Sequence, residues 1–429
     1  MRRVRSIAVV PIACFAISCS GFSQTAGSPA EFRTSLSISP FTELVFRDGI
    51  TYADENSTAR DPRQLQQMFV RHGANEVYAR IATTHKYRKG FGDHSMDRGL
   101  DRARIAGTLG VPFNPELGLF NIYGDIRCQP PPDFSDYPQI KAPADWTALT
   151  LDQMLPVLRS YGAIAAREIL DTGVKVRIWD LGNEIEFGTA GVAIQPIPGG
   201  CDDTAGGRGW YKPPNAVDPA IGKMSATQLM KMPERERIDW LKAHLWPYEA
   251  KLLAAVAAGI RSVDTGARFS THVSGLSAVL PTFATAFYQA MRDAGFVVDE
   301  LGFSYYPTSS ARPADRLKAF KDTATAAYQA LGKPVFIAEF GYPAARMERG
   351  FIWNDAVPGY ALTDEGQAAF IRDLASWGRR SGVLSGIRPW APDLAMAGWV
   401  PMSFFAIEGK TAKGRPALDA ISEGLQQRQ

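Results

Sequence analysis

The sequence predicts an α/β protein: a (β/α)8 barrel, a single domain with long loops after strands three, four and eight. Three observations lead there. From about residue 35 onward, short apolar runs alternate with longer helical periodicities eight times, the pattern of parallel strands joined by crossover helices. No Gly-rich phosphate loop follows the first apolar run, as a doubly wound open sheet would usually show. Two runs end in glutamates, Glu184 and Glu339, and barrel proteins gather their chemistry at the C-terminal ends of strands.

The elements are expected in this order. Strand one falls within 43–50 and is followed by a helix over 61–72. Strand two covers 76–83 (EVYARIAT), and its helix 94–109. Strand three covers 117–123 (LGLFNIY), then a Pro-rich loop runs to Trp146 and a helix occupies 151–172. Strand four is 174–181 (VKVRIWDL), a Gly- and Pro-rich connection covers 187–231, and a helix spans 233–264. Strands five, six and seven are 268–273, 300–306 and 334–339, with helices over 281–294, 314–331 and 365–380. Strand eight is 383–390, and a last helix covers 416–425. The chain of 429 residues exceeds the usual barrel of about 250, and the loops take up the surplus.

Residues 1–24 stand apart. Three arginines within the first five residues precede an apolar run over 7–17 and a small polar stretch over 18–23. That is the order of a secretory signal, and the run is too short to span a bilayer. Cleavage near Gln24 yields a soluble secreted or periplasmic protein with its catalytic domain over 25–429. The alternative is lipidation of Cys19, since Ala16-Ile17-Ser18-Cys19 loosely resembles a lipobox. Without the leader's arginines the mature chain balances 44 basic against 44 acidic residues. No basic stripe interleaves with aromatics, so nucleic acid is not an expected partner. Cys128 and Cys201 remain for the folded body, either as a disulfide or as two thiols. No metal-type Cys/His spacing occurs; neither a metal nor a cofactor is expected, and a monomer is.

Strand four runs into Gly182-Asn183-Glu184-Ile185 and strand seven into Ala338-Glu339-Phe340-Gly341-Tyr342-Pro343. A carboxylate after a long apolar stretch lies at the strand's mouth or is buried at considerable cost. Cleaving a glycosidic bond with retention needs one protonated carboxyl to donate to the leaving oxygen and one ionised carboxylate to attack, about 5–5.5 Å apart. Glu184 is the candidate acid/base and Glu339 the candidate nucleophile, with Glu186 ranked second for the acid. Asn183 is placed to bond the sugar 2-hydroxyl. Tyr305 or Tyr306 should donate to Glu339; alternation lets only one face inward, and Tyr306 is preferred. Trp390, ending strand eight, suits a stacking platform for a sugar. Trp146, Trp179, Trp210 and Trp353 are further aromatic candidates, with core packing or loop anchoring at least as good a reading.

These segments resemble the retaining barrel glycosidases that include cellulases, mannanases and galactanases, and within them the family 53 endo-β-1,4-galactanases. Gly182-Asn183-Glu184-Ile185 is similar to that family's acid/base segment. Gly302-Phe303-Ser304-Tyr305-Tyr306-Pro307 resembles its sixth strand. Lys333 through Glu339, with Gly341-Tyr342-Pro343, resembles its nucleophile segment, and Pro143-Ala144-Asp145-Trp146 resembles a loop ending in Pro and Trp. Arg80 lies mid-strand in the apolar setting of strand two, where a buried arginine needs a charge partner. The resemblance implies that this partner is the nucleophile, with a structural ion pair elsewhere as the alternative, and that His272 contacts substrate or is a satisfied core histidine. Phe340-Gly341 and Asn121-Ile122-Tyr123-Gly124 depart from the family pattern. β-1,4-Galactan is the implied substrate; mannan or glucan, or a non-catalytic glycan-binding barrel, are the alternatives.

Overall fold

In the computed structural model, an eight-stranded parallel sheet curls into the expected barrel. The structure describes residues 31–89, 91–143, 145–199, 201, 211–212, 216–310, 312–396 and 398–427. The proposed leader, Cys14, Cys19, Ala144 and Trp210 lie outside the described residues.

Strand one (Arg33–Thr34) is followed by strands two (Val77–Ile81), three (Phe113–Leu117), four (Trp179–Leu181) and five (Phe269–Val273). Strands six (Glu300–Tyr305), seven (Val335–Phe340) and eight (Leu384–Pro389) complete the set. Neighbouring strands pair in parallel from two through eight and back to one. At the remaining seam, between strands one and two, Asn75 N donates to Thr34 O at 3.0 Å. Side chains do the rest: Thr34 N reaches Asn75 Oδ1 at 2.9 Å, and Tyr78 N reaches Ser37 Oγ at 2.9 Å.

Two expected strands move. The 43–50 run is largely a helix, Thr42–Arg47, and strand one lies earlier. A two-residue strand containing an arginine carries no apolar alternation to detect. Strand three ends at Leu117 rather than starting there, because Leu119 and Phe120 pack inside the following loop. The helix expected over 233–264 is two, Glu234–His244 and Trp246–Arg261, broken at Leu245 ahead of Pro247, whose ring cannot extend a preceding helix. The connection after strand seven, residues 341–363, is also long. The segments after strands one and eight join in a small second sheet, where Thr411–Gly414 pairs with both Phe405–Glu408 and Thr51–Ala53.

The barrel's interior is unusually polar. Arg33 donates to Glu76 at 2.8 Å, to Asn114 at 2.7 Å and to Glu300, and its guanidinium lies 3.8 Å from the centroid of the Phe336 ring. One layer higher, Arg388 donates to Asn114 and Asp180 at 2.9 Å and to Glu116 at 3.1 Å. Buried charges need such complete pairing. Burial pushes the Glu76 carboxyl up, but the Arg33 charge and hydrogen bonds outweigh it and hold it below the usual range. That contribution is present at neutral pH and is lost as pH falls through the depressed value. Arg33→Met is expected to cost about 3–5 kcal/mol, read as a lower urea midpoint; an unchanged midpoint would show that the network adds nothing.

Candidate active site

Strand seven delivers Glu339 to the barrel mouth by a bulge. Against strand six, Phe303 pairs with Ile337 but Ser304 pairs with Glu339. Against strand eight, the register slips over the same stretch. The extra residue is Ala338, whose carbonyl accepts from Arg388 Nε at 2.5 Å. An extra residue reverses the alternation beyond it, so Glu339 shares the inward face of Ser304.

Arg80 donates to one Glu339 oxygen and, at 2.5 Å, to Glu116. Tyr306 Oη donates to the other Glu339 oxygen at 2.7 Å. Both are contacts that an anionic carboxylate accepts. Tyr305 does not join them. It faces the outer helices, stacks on Phe320 at 4.1 Å, and donates to Arg316 O at 3.2 Å. The strand parity that brings Ser304 and Tyr306 inward sends Tyr305 out.

Glu184 leaves strand four with φ of +50°, a left-handed conformation that costs a non-glycine residue about 1–2 kcal/mol. Its Oε2 accepts from Ile126 N at 3.3 Å. Burial is the main cause that raises its carboxyl well above the usual range, and the charges of Glu339, Asp125 and Glu186 add to it. Glu186 is wholly buried behind the site. It accepts from Ser274 N at 3.0 Å, Ser277 Oγ at 2.9 Å and Ser274 Oγ. It does not line the cleft.

His272 lies 4.0 Å from both Glu116 and Glu339. Burial, and then the charges of Arg80 and Arg388, bring its pKa down to about 3 against the pull of Glu339. It is neutral near pH 7, and neither ring nitrogen has a hydrogen-bond partner among the described residues. Gly302 makes room for it, since a Cβ there would lie 2.5 Å from His272 Cβ. Asn183 Nδ2 donates to Gly124 O at 2.7 Å, and its Oδ1 is buried without a hydrogen-bond partner among the described residues.

Glu184 and Glu339 line one cleft of about 260 Å³. Trp390, Trp353, Trp399 and Phe91 form its aromatic side. Trp390 has the Phe91 ring nearly parallel, 6.1 Å away, and Trp399 edge-on at 4.8 Å. Trp146 and Trp179 are structural, donating to Ala190 O at 2.7 Å and Asp264 at 3.0 Å. Cys128 and Cys201 form a disulfide with Cα atoms 5.1 Å apart. Among the described residues no group of three or more His, Cys, Asp or Glu is arranged to hold a metal ion. No helix among them is long and apolar enough to cross a membrane.

Sequence reasoning missed Glu116, Arg388, Gln129 and Phe91. Arg388 had the signal that singled out Arg80, a charge inside an apolar strand. Glu116 was hidden by the late placement of strand three.

Barrel and family match together define the class: the chain is a glycoside hydrolase. Residues 220–416 match the model of Glycosyl hydrolase family 53, a span that holds strands five to eight and Glu339 but stops short of Glu184. Similar solved structures cover the rest of the barrel. A GH53 catalytic domain from Ignisphaera aggregans is 18% identical with TM-score 0.67, covering 93% of this chain and 98% of its own. A structure of fungal beta-1,4-galactanases is 18% identical with TM-score 0.64, covering 92% and 99%. An exo-beta-1,4-mannosidase from an Opitutaceae bacterium is 14% identical with TM-score 0.52, covering 96% and 62%. No curated protein matches the sequence.

Proposed function

We propose that this chain is an exported endo-β-1,4-galactanase that works by double displacement, with Glu184 as acid/base and Glu339 as nucleophile. The observation that carries the reading is the contrast between two carboxyls in one cleft. Glu184 is buried with no ion pair among the described residues, and is driven toward its protonated form. Glu339 accepts from a guanidinium and a phenol. Environments that separate two carboxyls in this way assign the acid and the nucleophile.

The first step forms a bond between Glu339 and the anomeric carbon as Glu184 gives its proton to the departing oxygen. In the second, Glu184 takes a proton from water, which displaces Glu339 with overall retention. Arg80 and Tyr306, each on one oxygen, orient the attacking carboxylate. Trp390 lies where a sugar's C–H face can pack, and Asn183 is the candidate for the 2-hydroxyl.

Galactan is favoured by the family match and by the fungal galactanase fold. Export is favoured by the character of residues 1–24 and by a disulfide, which persists in oxidising compartments. Reducing-sugar release from β-1,4-galactan, mannan, xylan and glucan tests the substrate. Galactan is expected to be cleaved fastest; a preference for mannan or glucan would discard the galactanase reading and keep the chemistry. Tight glycan binding with no cleavage would support a non-catalytic barrel.

A further inference from the structure

Strand four ends at Leu181, so Glu184 stands three residues beyond the last regular pairing, in a conformation that local energetics disfavour. Something outside the strand must hold it. One anchor is Ile185 N, which donates to His272 O at 3.2 Å. Gly182 N adds a bond to Leu117 O at 2.8 Å, and further contacts come from a turn in the loop after strand three and from the residues flanking it.

That turn is 125–128, closed by Asp125 N to Cys128 O at 2.8 Å and Cys128 N to Asp125 O at 2.9 Å. Gly124 leads into it, where a Cβ would meet Cys128 O at 3.0 Å and Phe120 Cδ1 at 2.9 Å. From within it, Ile126 N reaches the Glu184 carboxyl at 3.3 Å. Next to it, Gln129 Nε2 donates to Asn183 O at 2.7 Å and Glu184 O at 3.3 Å. Both partners are carbonyl oxygens, so the amide must present its NH₂ to them. Gln129 is 3% exposed. Asn183 completes the clasp from the other side by donating to Gly124 O at 2.7 Å. Cys128, at the end of the turn, is bonded to Cys201 in the loop after strand four.

We infer that Gln129 is a positioning residue for Glu184, and that the Cys128–Cys201 disulfide braces the turn from which it acts. The inference rests on the reading of Glu184 as the acid. The physical reason is that proton donation fails when the donor oxygen drifts by a fraction of an ångström. Two hydrogen bonds to consecutive carbonyls hold the two peptides on either side of the Glu184 Cα, and so the direction of the Glu184 side chain. Cross-linking the turn to the next loop limits how far it can move. Gln129 does not line the cleft; its hydrogen bonds reach the backbone carbonyls of Asn183 and Glu184, and it acts by placing that backbone.

Gln129→Met keeps the size of the side chain and removes the donors. On unactivated glycan, kcat should fall about tenfold or more with KM within about twofold, whereas an activated aryl glycoside should lose far less. The double variant Cys128→Ser/Cys201→Ser should shift the same ratio in the same direction. Treatment of the wild-type enzyme with dithiothreitol, at a temperature where circular dichroism stays native, should reproduce that shift and leave the double variant unmoved. Equal losses on both substrates, or wild-type ratios throughout, would overturn the inference. Should Gln129→Met not fold, the serine variant and the reductant carry the test. Glu184→Gln is the reference. If it shows no dependence on the leaving group, the assignment of the acid fails, and that outcome is distinct from failure of the brace.

Discussion

Glu339→Ala is expected to lower turnover by a factor on the order of 10⁴ or more, the scale on which loss of a covalent catalyst is felt. The barrel should tolerate the change. Arg80 would lose one carboxylate but keep Glu116 at 2.5 Å, and Tyr306 would turn its hydroxyl to water in the cleft. The truncation also leaves a gap beside the anomeric carbon that a small anion can enter. Azide added to Glu339→Ala with an activated aryl glycoside should restore rate and yield a glycosyl azide of inverted configuration, since only the first displacement occurs. Wild-type turnover in the variant, or a rescued product of retained configuration, would remove Glu339 from the nucleophile's role.

Glu184→Ala is expected to separate substrates by their leaving groups. General acid catalysis contributes about 10²–10⁴-fold, and a glycan's departing sugar hydroxyl needs all of it. A dinitrophenolate leaves without protonation, so kcat/KM for such a glycoside should stay within about tenfold of wild type. The pH profile provides a second reading. With Glu184 as the proposed acid, its protonated form is the active one, and burial with neighbouring carboxylates holds its pKa well above the ordinary value. Wild-type kcat/KM should therefore fall on the alkaline side as Glu184 ionises, and that limb should vanish in the variant. A stability effect follows with a defined sign. A carboxyl with a raised native pKa makes the fold lose stability as pH climbs from the ordinary carboxylate range through the raised value. Glu184→Gln should remove that decline and unfold at a higher temperature than wild type near pH 8. A uniform loss on all substrates, with the alkaline limb intact, would remove Glu184 from the acid's role.

Local pattern carried much of the barrel. Strands two and five to eight stand within a few residues of their expected places, because each is a short run with apolar or β-branched residues set between helical periodicities. The helices after strands two, three and five match their periodicities closely. Strand one was illegible because its inward residue is Arg33, whose fitness for the interior depends on Glu76 and Glu300, 43 and 267 residues away in the chain. Strand three was misplaced because Leu119 and Phe120 are buried by a loop rather than a sheet, and burial alone does not distinguish the two.

The candidate site divides in the same way. Glu184 and Glu339 are visible in the sequence as charges terminating apolar strands, and Tyr306 follows from parity once Ser304 faces inward. Arg80 stands out as a cation in an apolar run that requires a partner. The sequence alone therefore determined the alternating fold and the placing of two glutamates at the C-terminal ends of strands four and seven. Only the tertiary structure decided that the bulge at Ala338 turns Glu339 inward, that Glu184 adopts a left-handed turn, and that Cys128 pairs with Cys201. The reason is one of range. Periodicity and strand endings are written in residues a few positions apart, whereas a bulge, a disfavoured backbone angle or a disulfide is settled by partners that only the closed barrel brings within reach.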